Sequence, residues 1–70
     1  RNCCVAAGNS KNVNLIPLLI NLLMNDKSFL VRGAAVWALQ QIGDQKILLK
    51  TKKLHLNFEK EGTVIDEWGT

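Results

Sequence analysis

The chain has 70 residues, 47% of them hydrophobic, with nine basic and six acidic side chains and a formal net charge of +3. That length admits one small domain, which buries only about 60% of the surface its unfolded chain exposes. The apolar content excludes a disordered segment, and no apolar run approaches the ~18 residues that span a bilayer, so no membrane partner is expected. The charge is modest for a polyanion binder, and it is uneven. Residues 44–58 bring Lys46, Lys50, Lys52 and Lys53 against Asp44, whereas Glu59, Glu61, Asp66 and Glu67 make the last stretch acidic apart from Lys60. The N-terminus lacks the charged-then-apolar order of a signal peptide and begins with Arg1, so we expect a fragment, or a chain whose start is missing, from a reducing, cytoplasmic compartment.

Residues 1–10, Arg-Asn-Cys-Cys-Val-Ala-Ala-Gly-Asn-Ser, align with Arg32-Gly-Ala-Ala-Val-Trp-Ala-Leu-Gln40 at an offset of 31 positions. Arg1 falls on Arg32, Cys3 and Cys4 on Ala34 and Ala35, Val5 on Val36, and Ala7 on Ala38. Self-similarity at such a period marks an internal repeat. The first ten residues then read as the second helix of a truncated unit, ended by Gly8-Asn9-Ser10. Cys3 and Cys4 are adjacent, which gives neither a disulfide framework nor metal-ligand spacing. They read as two small buried thiols.

Residues 12–24 read as a helix capped by Asn12, with Pro17 near its first turn, where a missing amide costs little. Leu15, Leu19 and Leu22 centre its apolar face, flanked by Ile16, Leu18 and Leu23. Asn25-Asp26-Lys27 is a polar turn. Ser28 to Gly43 predicts a complete second helix, with Ser28 as N-cap and Gly43 as a left-handed C′ residue. Val31, Ala35, Ala38 and Ile42 share one face, widened by Leu39 on one side and by Leu30, Ala34 and Trp37 on the other. So broad a face on so short a helix needs neighbours on both sides. Residues 12–43 thus form one complete helix–turn–helix repeat.

Residues 44–70 read as a degenerate, capping third unit. Asp44 is the expected cap of a helix in which Ile47, Thr51, Leu54 and Phe58 share a face. Leu54, Leu56 and Phe58 also alternate with His55 and Asn57, which fits a short strand over 52–58; helix is preferred, because the preceding units are helical. Glu59 to Gly62 is a turn, and Thr63 opens a last short helix through Trp68. The fold class is all-α: a short right-handed stack of about two and a half repeats.

The sequence offers no catalytic constellation and no metal or cofactor site: one histidine, His55, no nucleophile motif and no phosphate loop. His55 reads as a surface or half-buried residue. Three features are candidate binding elements. Arg1 and Arg32 sit at equivalent positions, as a ladder of cations for a phosphate backbone or, with more weight, as arginines packing their stems and bonding a loop carbonyl or a carboxylate such as Asp26 or Asp44. Lys46, Lys50, Lys52 and Lys53 form a denser cluster that either touches phosphates or only solubilises a terminal unit. Trp37 and Trp68 read as packing residues rather than base-stacking platforms.

The Pro17 turn, Leu30-Val-Arg32, the alanine-rich second helix and the closing Gly43-Asp44 resemble a HEAT-like repeat of the phycobilisome-lyase type. More narrowly, Arg1-Asn2 leading to Ala7-Gly-Asn-Ser10, then Val31-Arg-Gly-Ala-Ala-Val-Trp-Ala-Leu39 and the final Val64-Ile-Asp-Glu-Trp68, are similar to the C-terminal end of the epoxyqueuosine reductase family. That resemblance implies an oxidoreductase parent that uses cobalamin and two [4Fe–4S] clusters in upstream catalytic domains. This chain would hold only the helical repeats that contribute a basic tRNA-contacting surface near the anticodon, with no catalysis or cofactor of its own. The nucleic-acid candidates are then Arg1, Arg32, Lys46, Lys50, Lys52 and Lys53. The alternative is a generic HEAT-repeat protein-interaction module, including a lyase-like chaperone of tetrapyrrole attachment.

Overall fold

The computed structural model describes residues 8–69, which are helical apart from turns and short connections. Residues 8–10 are helical, and the break falls at Lys11, whose φ of 53° turns the chain. The expected helix at 12–24 begins later and tighter. Asn12 accepts a hydrogen bond from the Asn14 amide at 3.0 Å, and Val13–Leu15 forms a single 3-10 turn. Helix α1 then spans Ile16–Asn25, with Pro17 in its first turn. An α-helix starting at Asn12 would need a bond from residue 17 to the Val13 carbonyl, which proline cannot donate and its ring obstructs. The Ile16 amide takes that carbonyl instead.

Helix α2 spans Phe29–Ile42, and Ser28 caps it by accepting from the Val31 amide at 3.5 Å. Ala35, Val36, Ala38 and Leu39 are completely buried. Two adjacent pairs of buried positions cannot lie on a narrow stripe; α2 is enclosed from two directions. Gly43 ends α2 in an extended conformation, φ −80° and ψ 148°, so the expected left-handed cap does not form. What the position demands is room: its amide donates to the Leu39 carbonyl at 2.7 Å, and a Cβ there would lie 2.9 Å from that same oxygen.

Helix α3 spans Gln45–Leu56, capped by Asp44, which accepts from the Ile47 amide at 2.9 Å. Residues 52–56 are therefore helix, and the strand alternative is not adopted. The expected face is rotated, however. Thr51 and His55 are buried, while Leu54 and Phe58 are 49% and 69% exposed. Phe58 lies beyond the helix end, so the helical period no longer aims it. A similar rotation occurs in α1, where Leu19 and Leu23 are buried and Leu18 is exposed. Helix α4 spans Gly62–Glu67. Six residues do not sustain a helix alone; Val64 and Trp68 anchor it in the core.

The helices form two layers. α1 packs most extensively on α2, α4 lies against α2, and α3 lies against α1. The extents of 28 × 25 × 19 Å match a slab two helices thick. The core is the seam between the layers: Leu19 and Leu23 from α1, the four buried residues of α2, then Val64 and Trp68.

Candidate functional site

Three features were singled out for binding, and among their described residues Lys52 and Trp68 share one depression. Arg32 lies in the first turn of α2, and its side chain is only 20% exposed. Its Nε and Nη2 donate to the two carboxylate oxygens of Glu59 at 2.7 and 2.9 Å, and Nη1 donates to the carbonyls of Asp26 and Lys27 at 2.9 and 3.1 Å. The Asp26 contact is to the backbone; its carboxylate instead accepts from the Ser28 amide. The guanidinium therefore pins the α1–α2 turn to the segment after α3. Its hydrogen bond to Glu59, outweighing burial, raises its pKa above the ordinary value.

Glu59 is the hub of this cluster and was not foreseen. Burial opposes its charge, but hydrogen bonds from Arg32, the Glu61 amide and His55 outweigh it and hold its pKa below the ordinary carboxylate value. His55 is also not the surface or half-buried residue expected. It is 1% exposed, with Nε2 2.9 Å from Glu59 Oε1 and Nδ1 accepting from the indole N–H of Trp68 at 3.0 Å. Helix α3 ends one residue after His55, and the Phe58 and Glu59 amides return to the His55 carbonyl. That return brings Glu59 back under its own i−4 neighbour. Two signals for this cluster were present in the sequence: the His55/Glu59 spacing, and a tryptophan whose N–H needs an acceptor once buried.

Lys46, Lys50 and Lys53 follow steps of four and three, which places them on one face of α3, and all three are exposed. This face is opposite the buried Thr51–His55 side. Lys52 is turned away from them and half-buried, lining a shallow depression with Gln40, Leu48 and Trp68. Arg1 lies outside the described residues, as do Cys3 and Cys4. Trp68 is a core residue. Trp37 is half-buried and lines an open groove of about 340 Å³ between α2 and α4, together with Phe29, Leu30, Gly33, Val64 and Glu67.

Among the described residues no group of three or more His, Cys, Asp or Glu side chains is placed to hold a metal ion. No helix among them is long and apolar enough to cross a membrane.

An all-helical arrangement of this kind, in which α1 and α2 pack as a helix–turn–helix pair, is that of a short helical-repeat stack. The chain belongs to the HEAT-like repeat family, whose pattern it matches over residues 5–42. It is also similar, at 38% identity over 53 residues, to an uncharacterized protein in the gldA 3′ region of Geobacillus stearothermophilus. That similarity covers 76% of this chain and 24% of the relative, so the chain spans about a quarter of the relative's length. No solved structure matches.

Proposed function

We propose that this chain is a non-catalytic interaction module whose contact surface is the outer face of α3, and that its target is the phosphate backbone of a structured RNA. The observation that carries this reading is the alignment of Lys46, Lys50 and Lys53, three exposed ammonium groups on one rigid helical face. Asp44 caps that helix from its N-terminal end, so the basic face is held in one orientation. The resemblance to the C-terminal end of epoxyqueuosine reductases supplies the finer assignment: a tRNA-contacting and scaffolding region, near the anticodon, of a cytoplasmic queuosine-biosynthesis enzyme whose cobalamin and cluster chemistry would belong to upstream domains. Arg32 has no part in the proposed surface, because its guanidinium is committed to Glu59 and two carbonyls.

The test is a titration against a tRNA anticodon stem-loop over a salt series. Replacing Lys46, Lys50 and Lys53 together by Ala should weaken binding and flatten the dependence of log K on log salt by about 2–3. Lys52→Ala should change little. Retention of full affinity and slope by the triple variant would falsify the assignment.

A second reading, a protein-interaction module, is favoured by a different observation. Phe29 and Leu30 remain 43% and 55% exposed at the mouth of the α2–α4 groove. Clustered exposed apolar side chains in a concave site are a feature of protein docking surfaces. Loss of self-association or partner capture in Phe29→Ser, with RNA affinity unchanged, would favour it.

A further inference from the structure

We propose that His55 is a proton-operated latch that holds α4 closed when its ring is neutral and releases it when the ring takes a second proton. An indole N–H only donates. Since Trp68 Nε1 lies 3.0 Å from His55 Nδ1, that ring nitrogen must be the acceptor. The single ring proton therefore sits on Nε2, where it donates to Glu59 Oε1 at 2.9 Å. Both ring nitrogens are used, the side chain is 2% exposed, and every buried side-chain nitrogen and oxygen among the described residues has a partner.

A second proton has only Nδ1 to go to, and there it meets the indole N–H head-on. Two donors face each other in a buried site with no acceptor between them. The indole must then withdraw. Trp68 and Val64 are the residues that seat α4, a helix too short to stay folded undocked.

The charged surroundings do not rescue the closed state. On the ring's other side Glu59 is already met by Arg32 from α2, so an imidazolium would be a second cation on a carboxylate whose two oxygens are both paired. Asp26 from the α1–α2 turn, and Lys60 and Glu61 beside Glu59, line the shallow cavity next to the cluster. From α4 the group that meets the ring is the indole; Asp66 and Glu67 are exposed. Glu59, held below the ordinary carboxylate value, keeps its charge above about pH 5, so the carboxylate itself does not open the cluster there. Release of α4 would remove one wall of the α2–α4 groove, since Thr63, Val64 and Glu67 line it.

Amide hydrogen exchange on the whole chain tests this, expressed as protection relative to the unfolded rate at each pH. Between pH 8 and pH 5 the amides of Val64, Ile65 and Trp68 should lose at least tenfold in protection, while those of Leu23 and Leu39 keep theirs. His55→Gln is the informative variant. Its amide can accept from the indole and donate to Glu59 without titrating, so the pH-dependent loss should vanish. Trp68→Phe removes the opposing donor and keeps a ring; it should leave α4 less protected at every pH but with no further loss on acidification, a result readable even if His55→Gln does not fold. The latch is overturned if α4 protection is the same at pH 8 and pH 5 in the unmodified chain. It is equally overturned if α1 and α2 lose protection in step with α4, or if His55→Gln or Trp68→Phe retains the full pH-dependent loss.

Discussion

Arg32 and Glu59 meet through two parallel hydrogen bonds, Nε to Oε1 and Nη2 to Oε2, although 27 positions separate them in the chain. The Glu59 side chain is 3% exposed, so without Arg32 its charge has little water to turn to. Lysine supplies the charge but not the planar fork. Arg32→Lys should therefore destabilise the domain by about 1–2 kcal/mol, and Arg32→Ala by about 3, because it leaves a buried carboxylate without its cation. Urea denaturation measures both. A lysine variant with an unchanged midpoint would show that the paired geometry contributes nothing beyond charge.

The same carboxylate sets an acid limit. Its folded pKa lies below the ordinary carboxylate value, so the unfolded chain binds the proton more readily. Stability from Glu59 is then fully present above the ordinary carboxylate pKa and disappears as pH falls through the lower folded value. The urea midpoint should hold down to about pH 5, as far as this group is concerned, and fall below pH ~4. Glu59→Gln should be less stable at neutral pH and show a flatter acid limb. An acid limb identical to that of the unmodified chain would assign the loss to other carboxylates.

The helical elements were legible wherever local signals sufficed. Ser28 and Asp44 cap the helices they were expected to cap, because an N-cap depends only on neighbours three residues away. The alanine-rich face of α2 was legible in Ala35, Ala38 and Leu39, but Val36, which the expected face left out, is buried with them, and Val31 and Ile42 are only half-buried. What failed was long-range. The rotation of α3 onto Thr51 and His55, rather than Leu54 and Phe58, follows from Trp68 arriving 13 residues later with an indole that needs an acceptor. The start of α1 moved because one proline outweighed a good cap. Among the binding candidates, the periodic Lys46, Lys50 and Lys53 could be placed on one face from spacing alone. The diversion of Arg32 to Glu59 could not, since no local pattern links residues so far apart.

Two glycines in similar helical settings should respond oppositely to alanine. At Gly33, within α2, an added Cβ meets only Val64 Cγ2 at 4.0 Å. Alanine there fills open space and removes backbone freedom from the unfolded chain, so Gly33→Ala should raise stability by about 0.5–1 kcal/mol. At buried Gly8 the Cβ would lie 2.6 Å from Trp37 Cζ3 and 3.2 Å from the Ala38 backbone. Gly8→Ala must displace the indole and should lower stability by about 1–3 kcal/mol. A thermal melt of each variant decides the pair; two shifts of the same sign would contradict the close approach of residue 8 to α2.

The two helix caps offer a graded test of how firmly the basic face is held. Asp44 accepts from the Ile47 amide at 2.9 Å, whereas Ser28 reaches the Val31 amide only at 3.5 Å. A charged acceptor at short range also favours the positive end of the helix dipole. Asp44→Ala should thus cost about 1–2 kcal/mol, and Ser28→Ala about 0.5. The consequences also differ in place. α2 is enclosed by α1 and α4 and is held by packing even with a weakened cap. α3 buries fewer apolar side chains, so loss of Asp44 should fray its first turn and leave Lys46 mobile before Lys50 or Lys53. Backbone exchange at Lys46 and Ile47 measures that fraying. If the Lys46, Lys50 and Lys53 face binds RNA as one rigid unit, Asp44→Ala should weaken binding several-fold while removing no basic residue; since it also removes a nearby negative charge, simple electrostatics would strengthen binding instead. The sign of the change in RNA affinity therefore separates a pre-organised helical face from a diffuse cloud of charge.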